Sequence, residues 1–387
     1  MDTPMHGKRV LIEIDRRRFR CKFCGKTMFE PLPDVDKKRL ATSRLIEYIE
    51  RRCLRETFIA LSRETGLDNK TIRNIFDDYV ARKNQAVQIK TPEILGIDEI
   101  KIIGDYRATL TNIDKLTLFD LLQTRKKASL LDYFDAMSDK QNVLVIVMDM
   151  WNVYRQVAAK AFPGRMVVAD KFHVVRMAND ALERVRKRIR KSVDDKTRLK
   201  LKNDRFILLK RAHKLTQEEA EKAEKWFALY PELNLAYAAK ERFYDIYTKP
   251  TREAAELAAR EWEDRLGPSI AREFRELRVA LNNWWQEIFN FYEQPVTNGY
   301  TEAINGIAKN INRMGRGYSF EVIRARLLFD ETAMRAGRAT VRKKTRRTPD
   351  QMIGRMIGVS GAEAEETIDY GAHLPTLVSL LESGYFS

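Results

Sequence analysis

The spacing of hydrophobic residues divides the chain into helical and strand-forming segments. Between residues 40 and 80 apolar residues recur three and four positions apart, which is typical of amphipathic helices. From 93 to 192, short apolar runs and helical stretches follow in the order three strands, helix, strand, helix, strand, helix. From 193 to 294 the strand pattern stops and helical periodicity remains. We therefore expect a mixed α/β core that is interrupted by an all-α insertion.

The helical stretch before the core has the form of a helix-turn-helix. One helix ends near Thr65, Gly66 supplies the turn, and Asp68 or Asn69 caps the next helix. The second helix packs its apolar side inward, and the side chains that it turns outward are Asn69, Lys70, Arg73 and Asn74. These polar side chains suit base edges and phosphates, although three-helix units of this kind also serve as plain packing modules.

Six segments follow from these patterns. They are an arginine-rich stretch that predicts a short hairpin, the helix-turn-helix domain with its linker, the first part of the core, the insertion, the final core helix, and a basic tract with a short tail. Their bounds are residues 1–38, 39–92, 93–192, 193–294, 295–333 and 334–387. Within the insertion, helix starts are indicated by Thr216 with Glu219, by Pro231 and by Thr251.

The charge of the chain indicates the class of its partner. Among 387 residues, 71 Lys and Arg outnumber 55 Asp and Glu, which gives a net charge of +16. A surplus of this size in a globular protein favours a polyanionic partner, and nucleic acid is the leading candidate. The segment RVRKRIRK, with too few acids to balance it, favours a phosphate-binding surface that includes Arg186 and Arg190 over a solvated helix face.

The N-terminus and the cysteines bear on the compartment and on metal binding. We find no run of eighteen uncharged apolar residues and no signal-like N-terminal stretch, so we expect a cytoplasmic protein without a membrane segment. In a reducing compartment the pair Cys21 and Cys24 indicates a metal site or no function at all. A structural zinc needs four ligands, and the further candidates, His6 and Cys53, lack a convincing spacing. Both interpretations stay open.

Acidic residues at strand ends predict the chemistry. Asp98, Asp149 and Asp170 each follow or end an apolar run, and ligands gather at the carboxyl ends of strands in open α/β sheets. Glu302 lies on a later helix, and the polar residues near the same helix face are Asn305, Lys309 and Arg313. Two strand-end acids and one helix acid can converge on a pair of Mg²⁺ ions. Two glycines inside that helix, at positions 299 and 306, suggest the close approach of a partner.

These residues are the ones by which the chain resembles the DDE transposases of bacterial insertion sequences, and among them the ISL-three family. The similarity runs from GKRV and RFRCKFCGKT through the helix-turn-helix to GIDE, MDMW with the nearby Tyr154, VADKFHVVR and TNGYTEAINGIAKNINR. The resemblance implies a ribonuclease H-like mixed-sheet catalytic core. The catalytic acids that it implies are Asp98, Asp149 and Glu302.

The resemblance also implies the cofactors and partners. The three acids would hold two Mg²⁺ ions, for which Mn²⁺ substitutes, and the D-x-x-H element of Asp170 and His173 would be accessory. Asn305 and Lys309 would support the Glu302 helix. Because Asp170 also ends a strand, it remains the alternative second metal ligand. Family members generally carry a further cysteine pair before Cys21, which this sequence does not include, so zinc binding stays open.

The predicted function is that of a transposase. It would bind the terminal inverted repeats of its element and a target DNA as double strands, act as a homodimer on DNA, and cut and join strands by two-metal catalysis. Two alternatives remain. One is a catalytically inactive DNA-binding regulator, and the other is a ribonuclease H-like nuclease or junction resolvase.

Overall fold

The computed structural model describes residues 1–87 and 89–330. The N-terminal segment consists of two small hairpins, formed by β1 (Asp2–Met5) with β2 (Lys8–Val10) and by β3 (Arg18–Arg20) with β4 (Thr27–Phe29). The predicted knuckle lies between β3 and β4, where the Gly25 amide donates to the Cys21 carbonyl at 3.0 Å. The predicted basic tract and tail, 334–387, lie outside the described residues.

The predicted helix-turn-helix is confirmed. Gly66 ends the helix before the turn with φ 80°, a conformation that favours glycine. Asp68 caps the helix after the turn by accepting from the Thr71 amide at 2.9 Å. The helix after the turn continues to Ala86, six residues beyond the helical pattern that was predicted to end at residue 80. The helices are α1 (Ser43–Arg52), α2 (Phe58–Thr65) and α3 (Asn69–Ala86).

A five-stranded mixed sheet forms the centre of the next part of the chain, and its elements follow in the predicted order. The strand order is β7-β6-β5-β8-β9; β5, β8 and β9 are parallel, and β6 is antiparallel to both of its neighbours. The strands are β5 (Ile94–Ile102), β6 (Asp105–Asn112), β7 (Thr117–Leu122), β8 (Val145–Met148) and β9 (Met166–Ala169). The helices are α4 (Lys127–Asp135), α5 (Asn152–Ala161) and α6 (Lys171–Lys191).

The described residues from 193 to 294 form helices and no strand, as predicted. Thr216 and Glu219 form a capping box, Pro231 occupies a first-turn position and Thr251 caps the helix that follows it. The helices are α7 (Asp195–Asn203), α8 (Arg205–Leu209), α9 (Gln217–Leu229), α10 (Pro231–Ile246), α11 (Arg252–Asp264), α12 (Ala271–Asn283) and α13 (Trp285–Phe289).

The segment predicted as one final core helix contains two helices. These are α14 (Gly299–Met314), which carries Glu302, and α15 (Phe320–Phe329), and the chain turns between them at Gly315. No helix in the described residues is both long and apolar enough to cross a membrane.

Two large hydrophobic cores and one small cluster, around Val145, Val147 and Val168, organise the described elements. The larger core joins α4, α5 and α6 to the sheet and to the helical block, with Tyr154 and Trp262 among its buried side chains. The second core contains side chains from the helix-turn-helix, from β5 and β7, and from α14 and α15; examples are Leu45, Ile72, Leu121, Ile304 and Ile323. The helix-turn-helix therefore shares its hydrophobic core with the helix that carries Glu302.

A buried arginine links α15 to the helix-turn-helix. Arg326 is 3% exposed, and its guanidinium donates to the Cys53 carbonyl at 2.8 Å and to the Glu56 carbonyl, both just after α1. The same group lies 4.4 Å from the Tyr318 ring centroid and 5.6 Å from that of Phe58. It supplies a donor to two backbone carbonyls of the loop between α1 and α2.

Replacing this arginine tests how firmly the helix-turn-helix is held. We expect Arg326→Met to lower the free energy of unfolding by about 2–4 kcal/mol, because two carbonyls lose a charged donor in a buried setting. Arg55→Ala removes an exposed ion pair with Asp330 at the same interface and should cost less than about 1 kcal/mol. Urea unfolding of both variants checks this, and equal effects would contradict it.

Candidate active site

Three aspartates lie side by side across neighbouring strands. Ile97 pairs with Met148, and Met148 pairs with Ala169, in the parallel strands β5, β8 and β9. The residues that follow these three are Asp98, Asp149 and Asp170. Since adjacent strands are about 4.8 Å apart, the three residues form a row across the sheet. We call them the aspartate row.

Helix α14 is joined to the aspartate row by two asparagines. The Asn305 amide donates to Asp98 Oδ2 at 2.8 Å. At the start of the helix, the Asn298 side chain donates to the Ile97 carbonyl at 2.9 Å, and its backbone amide donates to Asp170 Oδ1 at 3.0 Å. Asn298 and Asn305 are both buried. These hydrogen bonds fix the helix across the middle of β5 and the end of β9. Asp98 lies inside β5, four residues before its last residue, so the prediction that it ends a strand is wrong.

Glu302 lies between the two asparagines along α14. It follows Asn298 by four residues and precedes Asn305 by three, so the three residues share one side of the helix. Its side chain is exposed, and no hydrogen bond or ion pair joins it to another described residue. Lys309, one turn after Asn305, is also exposed. The fold thus brings the Glu302 helix to the aspartate row and leaves this carboxylate in solvent.

His173 lies between two aspartates of the row. Its Nδ1 atom is 2.8 Å from Asp149 Oδ1 and 2.9 Å from Asp170 Oδ2. This nitrogen carries at most one hydrogen, so Asp149 Oδ1 and Asp170 Oδ2 compete for the same donor. These three side chains are the one group of potential metal ligands in the described chain whose atoms lie within 4.8 Å of one another, and neither Asp98 nor Glu302 belongs to it.

The aspartate row carries more negative charge than its surroundings balance. Burial, and then the charge of Asp149, raise the pKa of Asp98 to about 7. Burial alone would lower the pKa of His173, but its hydrogen bonds with Asp149 and Asp170 raise that pKa to about 10. Carboxylate oxygens in such a setting fit a hard divalent cation, and Asp149 Oδ1, which is ion-paired with His173, is a buried oxygen that accepts no other hydrogen bond from the described residues.

A pocket of about 320 Å³ opens beside Asp149 and His173. On one side Arg125 is ion-paired with Glu99 and lies 4.1 Å from the Tyr106 ring centroid and 4.4 Å from that of Trp151. On the other side Arg176 is exposed and has no ion pair or hydrogen bond with any residue that the structure describes. No role was predicted for these residues from the sequence. The available signals were a tryptophan two positions after Asp149 and an arginine one turn after His173.

The helix-turn-helix presents the side chains predicted to face outward. Asn69, Lys70, Arg73 and Asn74 are exposed on α3, whereas the predicted inward positions, Ile72, Ile75 and Phe76, are buried. Arg73 contacts Ser319, where its guanidinium donates at 3.3 Å. The polar face of α3 is thus open to a partner.

The predicted phosphate contact of Arg186 needs correction. This residue is 2% exposed, and its guanidinium donates to both Glu183 carboxylate oxygens and to the Leu201 carbonyl. Arg186 therefore forms an internal ion pair with Glu183 where α6 meets α7, and its guanidinium is not available to DNA in this arrangement. Arg190, one turn further along α6, is half-buried.

The cysteines do not assemble a four-ligand site in the described residues. Cys21 and Cys24 are free thiols on the β3–β4 turn, and His6 lies in the turn of the other hairpin. Cys53 is fully buried in the second core, where burial raises its pKa to about 12, so it is excluded as a partner of that pair. Only the two cysteines of the knuckle are positioned together.

A glycine that permits close packing within the chain lies in β5, and the predicted approach of a partner at Gly299 and Gly306 stays a prediction. Gly306 is exposed, with no atom within 4 Å of the place where a Cβ would lie, and a Cβ at Gly299 would make an ordinary contact with Phe172. A Cβ at Gly96, in contrast, would lie 2.8 Å from Asn298 Oδ1 and would also overlap the Thr111 hydroxyl. Gly96 therefore allows α14 to pack directly on β5, two residues before Asp98.

Comparisons with known proteins agree on one family. Residues 95–327 match the profile of a family described as Transposase, and residues 30–80 match the helix-turn-helix domain of transposase family ISL3. The chain is also 21% identical to the transposase for insertion sequence element IS1001 of Bordetella parapertussis, over 330 residues that cover 82% of this chain and 80% of that protein.

A methyl group at Gly96 tests the packing of α14 on the sheet. We expect Gly96→Ala to lower the free energy of unfolding by about 1–3 kcal/mol, because the added Cβ must displace Asn298 or Thr111. Gly306 lies on α14 itself and has open space around it, so Gly306→Ala should be neutral or stabilising by up to about 1 kcal/mol. Thermal unfolding separates the two variants, and a Gly96→Ala protein as stable as the parent would contradict the close contact.

The raised pKa of Asp98 predicts a pH-dependent effect of neutralising it. A carboxyl with a folded pKa near 7 and an unfolded pKa near 3.8 opposes folding once it ionises, and the cost grows as the pH rises through that interval. In chelator, the melting temperature of Asp98→Asn relative to the parent should therefore shift upward between pH 5 and pH 8. A difference that does not change with pH would mean that Asp98 ionises without a penalty.

Proposed function

We propose a DNA transposase activity for this chain, which belongs to transposase family ISL3 because the family profile matches residues 95–327, more than half of its length. In this proposal the protein binds the ends of an insertion sequence, cleaves DNA strands there and joins them to a target. The observation that carries the proposal is the aspartate row across β5, β8 and β9 with α14, the helix of Glu302, hydrogen-bonded to it.

The sheet supports a ribonuclease H-like interpretation of the core. Three strands in succession, of which the second is antiparallel to both others, precede two parallel strands that extend the sheet from β5. Along the sequence, the helical block from 193 to 294 comes after the strands of this sheet and before the final helices α14 and α15. We infer that it is an insertion into the catalytic core.

The acids have distinct roles in the proposed reaction. Asp98, Asp149 and Glu302 would hold two Mg²⁺ ions, or Mn²⁺ in their place, and such ions activate the attacking oxygen and stabilise the leaving oxygen. Asp170 is fully buried and its oxygens accept from the Asn298 amide and from His173. A carboxylate committed in this way favours a positioning role, and we assign the second ligand to Asp149.

Further side chains would hold the DNA. The exposed polar face of α3 would contact the terminal repeat with Asn69, Lys70 and Asn74. At the site itself, Arg176 and Lys309 are exposed cations and would contact phosphates of the strand to be cut. Because two element ends must be held together for transposition, we infer that the protein acts as a dimer on DNA.

Neutral substitutions of the three acids test the proposal. Asp98→Asn, Asp149→Asn and Glu302→Gln should each lower Mg²⁺-dependent cleavage of element-end DNA on the order of a thousandfold or more. Binding of the same DNA, measured by gel mobility shift, should be unchanged. Asp195→Asn, a fully exposed acid on α7, is the matched control and should cleave normally.

The products separate the remaining alternatives. Strands joined to a second DNA molecule are expected for a transposase. Cut strands without joined products would instead indicate a nuclease or junction resolvase. Binding without any nick, in the parent protein with Mg²⁺ or Mn²⁺, would indicate a DNA-binding regulator and would overturn the proposed activity.

A further inference from the structure

Arg125 lines a second pocket besides the one at the aspartate row. This second pocket has a volume of about 530 Å³ and lies at the start of α4. Its cations are Arg107, Arg125 and Lys126, and Asp105 is the one acid among the described residues that line it. We call it the α4 pocket. Its lining favours an anion, and the proposed cleavage chemistry makes no use of it.

The start of α4 lacks the groups that normally stabilise the N-terminus of a helix. No side chain caps it, and no acid lies in its first turn. Lys126 at the N-cap and Lys127 after it are cations instead, although the positive end of the helix dipole favours anions. Lys126 is exposed and forms no ion pair with any residue that the structure describes. Uncapped backbone amides beside an unpaired cation are the usual composition of a phosphate site.

Arg107 is a second and independent indication of a ligand in the α4 pocket. It is 8% exposed, yet its guanidinium makes one hydrogen bond within the described part of the chain, to the Gln123 carbonyl. Its buried Nε atom has no acceptor there. Asp105 Oδ2 lies 3.9 Å from Arg107 Nη2, beyond hydrogen-bond distance, and this acid is largely exposed. A buried guanidinium with unused donors is costly unless an acceptor completes it, and a phosphate offers several acceptor oxygens.

The α4 pocket borders both regions that the proposed function assigns to DNA. On one side, the Arg107 guanidinium lies 5.0 Å from the ring centroid of Phe320 at the start of α15, and the preceding Ser319 accepts from Arg73 of α3 at 3.3 Å. On the other side, Arg125 also lines the pocket at the aspartate row. A DNA strand that runs from α3 to the acids is therefore expected to pass the α4 pocket.

We propose that the α4 pocket binds a backbone phosphate of DNA, at a position between the bases that α3 contacts and the bond that is cut. Arg107, Lys126 and the first-turn amides of α4 hold this phosphate. The inference rests on the proposed function, because it takes α3 and the aspartate row as the two ends of the path. A phosphate contact of this kind positions the strand and reads no base sequence.

The salt dependence of DNA binding tests the proposal at an exposed residue. Fluorescence anisotropy of a labelled duplex that carries the terminal repeat and its flank, measured at several KCl concentrations, gives the slope of log affinity against log salt. In Lys126→Gln the slope should become shallower by about 0.9, and the affinity at about 0.15 M salt should fall about fivefold, because one phosphate contact and its released counterion are lost. The variant should be as stable as the parent, since this side chain is exposed.

Neutral methylphosphonates in place of single phosphates locate the contact. With the parent, a substitution at one or two positions between the repeat and the cut bond should weaken binding about fivefold. With Lys126→Gln the same substitutions should have no further effect, because both changes remove one and the same interaction.

Lys160→Gln is the matched control. Lys160 is exposed in the last turn of α5, at the opposite end of that helix from Asn152, which is the third residue after Asp149. The variant loses the same charge, and its salt slope and methylphosphonate pattern should equal those of the parent.

Four outcomes would overturn the assignment. They are a parent-like slope in Lys126→Gln, full additivity of Lys126→Gln with every methylphosphonate, an equal change in Lys160→Gln, and a small-anion site. The last would appear as stabilisation of the parent by inorganic phosphate that Lys126→Gln loses while its DNA binding stays parent-like. In all four cases the parent still binds and cleaves element-end DNA, so the proposed function is unaffected. A parent that does not bind this DNA would contradict both.

Discussion

The hydrogen bonds between the asparagines of α14 and the aspartate row hold the candidate site together. Asp98 and Asn305 are 207 positions apart in the sequence, and the helical block lies between them. An asparagine can serve here because its side chain donates and accepts at once: Asn305 donates to Asp98 and accepts from the Thr109 hydroxyl. It fastens the helix without neutralising the carboxylate, whereas a lysine or arginine in its place would compete with a metal ion for the same charge.

The same economy of positive charge is visible around the row. The chain carries a net charge of +16, and at the row itself His173 is ion-paired with Asp149 and with Asp170. In the pocket wall, Arg125 is ion-paired with Glu99, and its guanidinium lies near the rings of Tyr106 and Trp151. A chain with a net positive charge thus contains an acidic centre, and a divalent cation at that centre would balance its charge.

Local patterns predicted the elements well because each pattern has a local cause. The strands of the core are short apolar runs, and the helix-turn-helix is marked by a left-handed glycine and an N-cap aspartate. The failures concern tertiary contacts. Arg186 looks like a surface cation until Glu183 and the Leu201 carbonyl enclose it. Gly96 looks like an ordinary strand residue, and the packing of Thr111, Ile113 and Asn298 around it explains the absence of a side chain. Whether Glu302 meets the aspartates cannot be derived from its helix face, since the side chain is exposed.

The shared core of the helix-turn-helix and α15 has a genetic consequence. A DNA-reading unit on a flexible tether can vary independently of the enzyme it serves, but here Arg326 and its neighbours belong to both. Substitutions at the inner face of α15 would change how α3 packs, and substitutions in α1 would change the packing beneath α14, the helix that carries Glu302. If α3 reads the terminal repeat as proposed, a new repeat specificity would arise most readily at its exposed positions, because the buried positions of the helix-turn-helix share a core with α14 and α15.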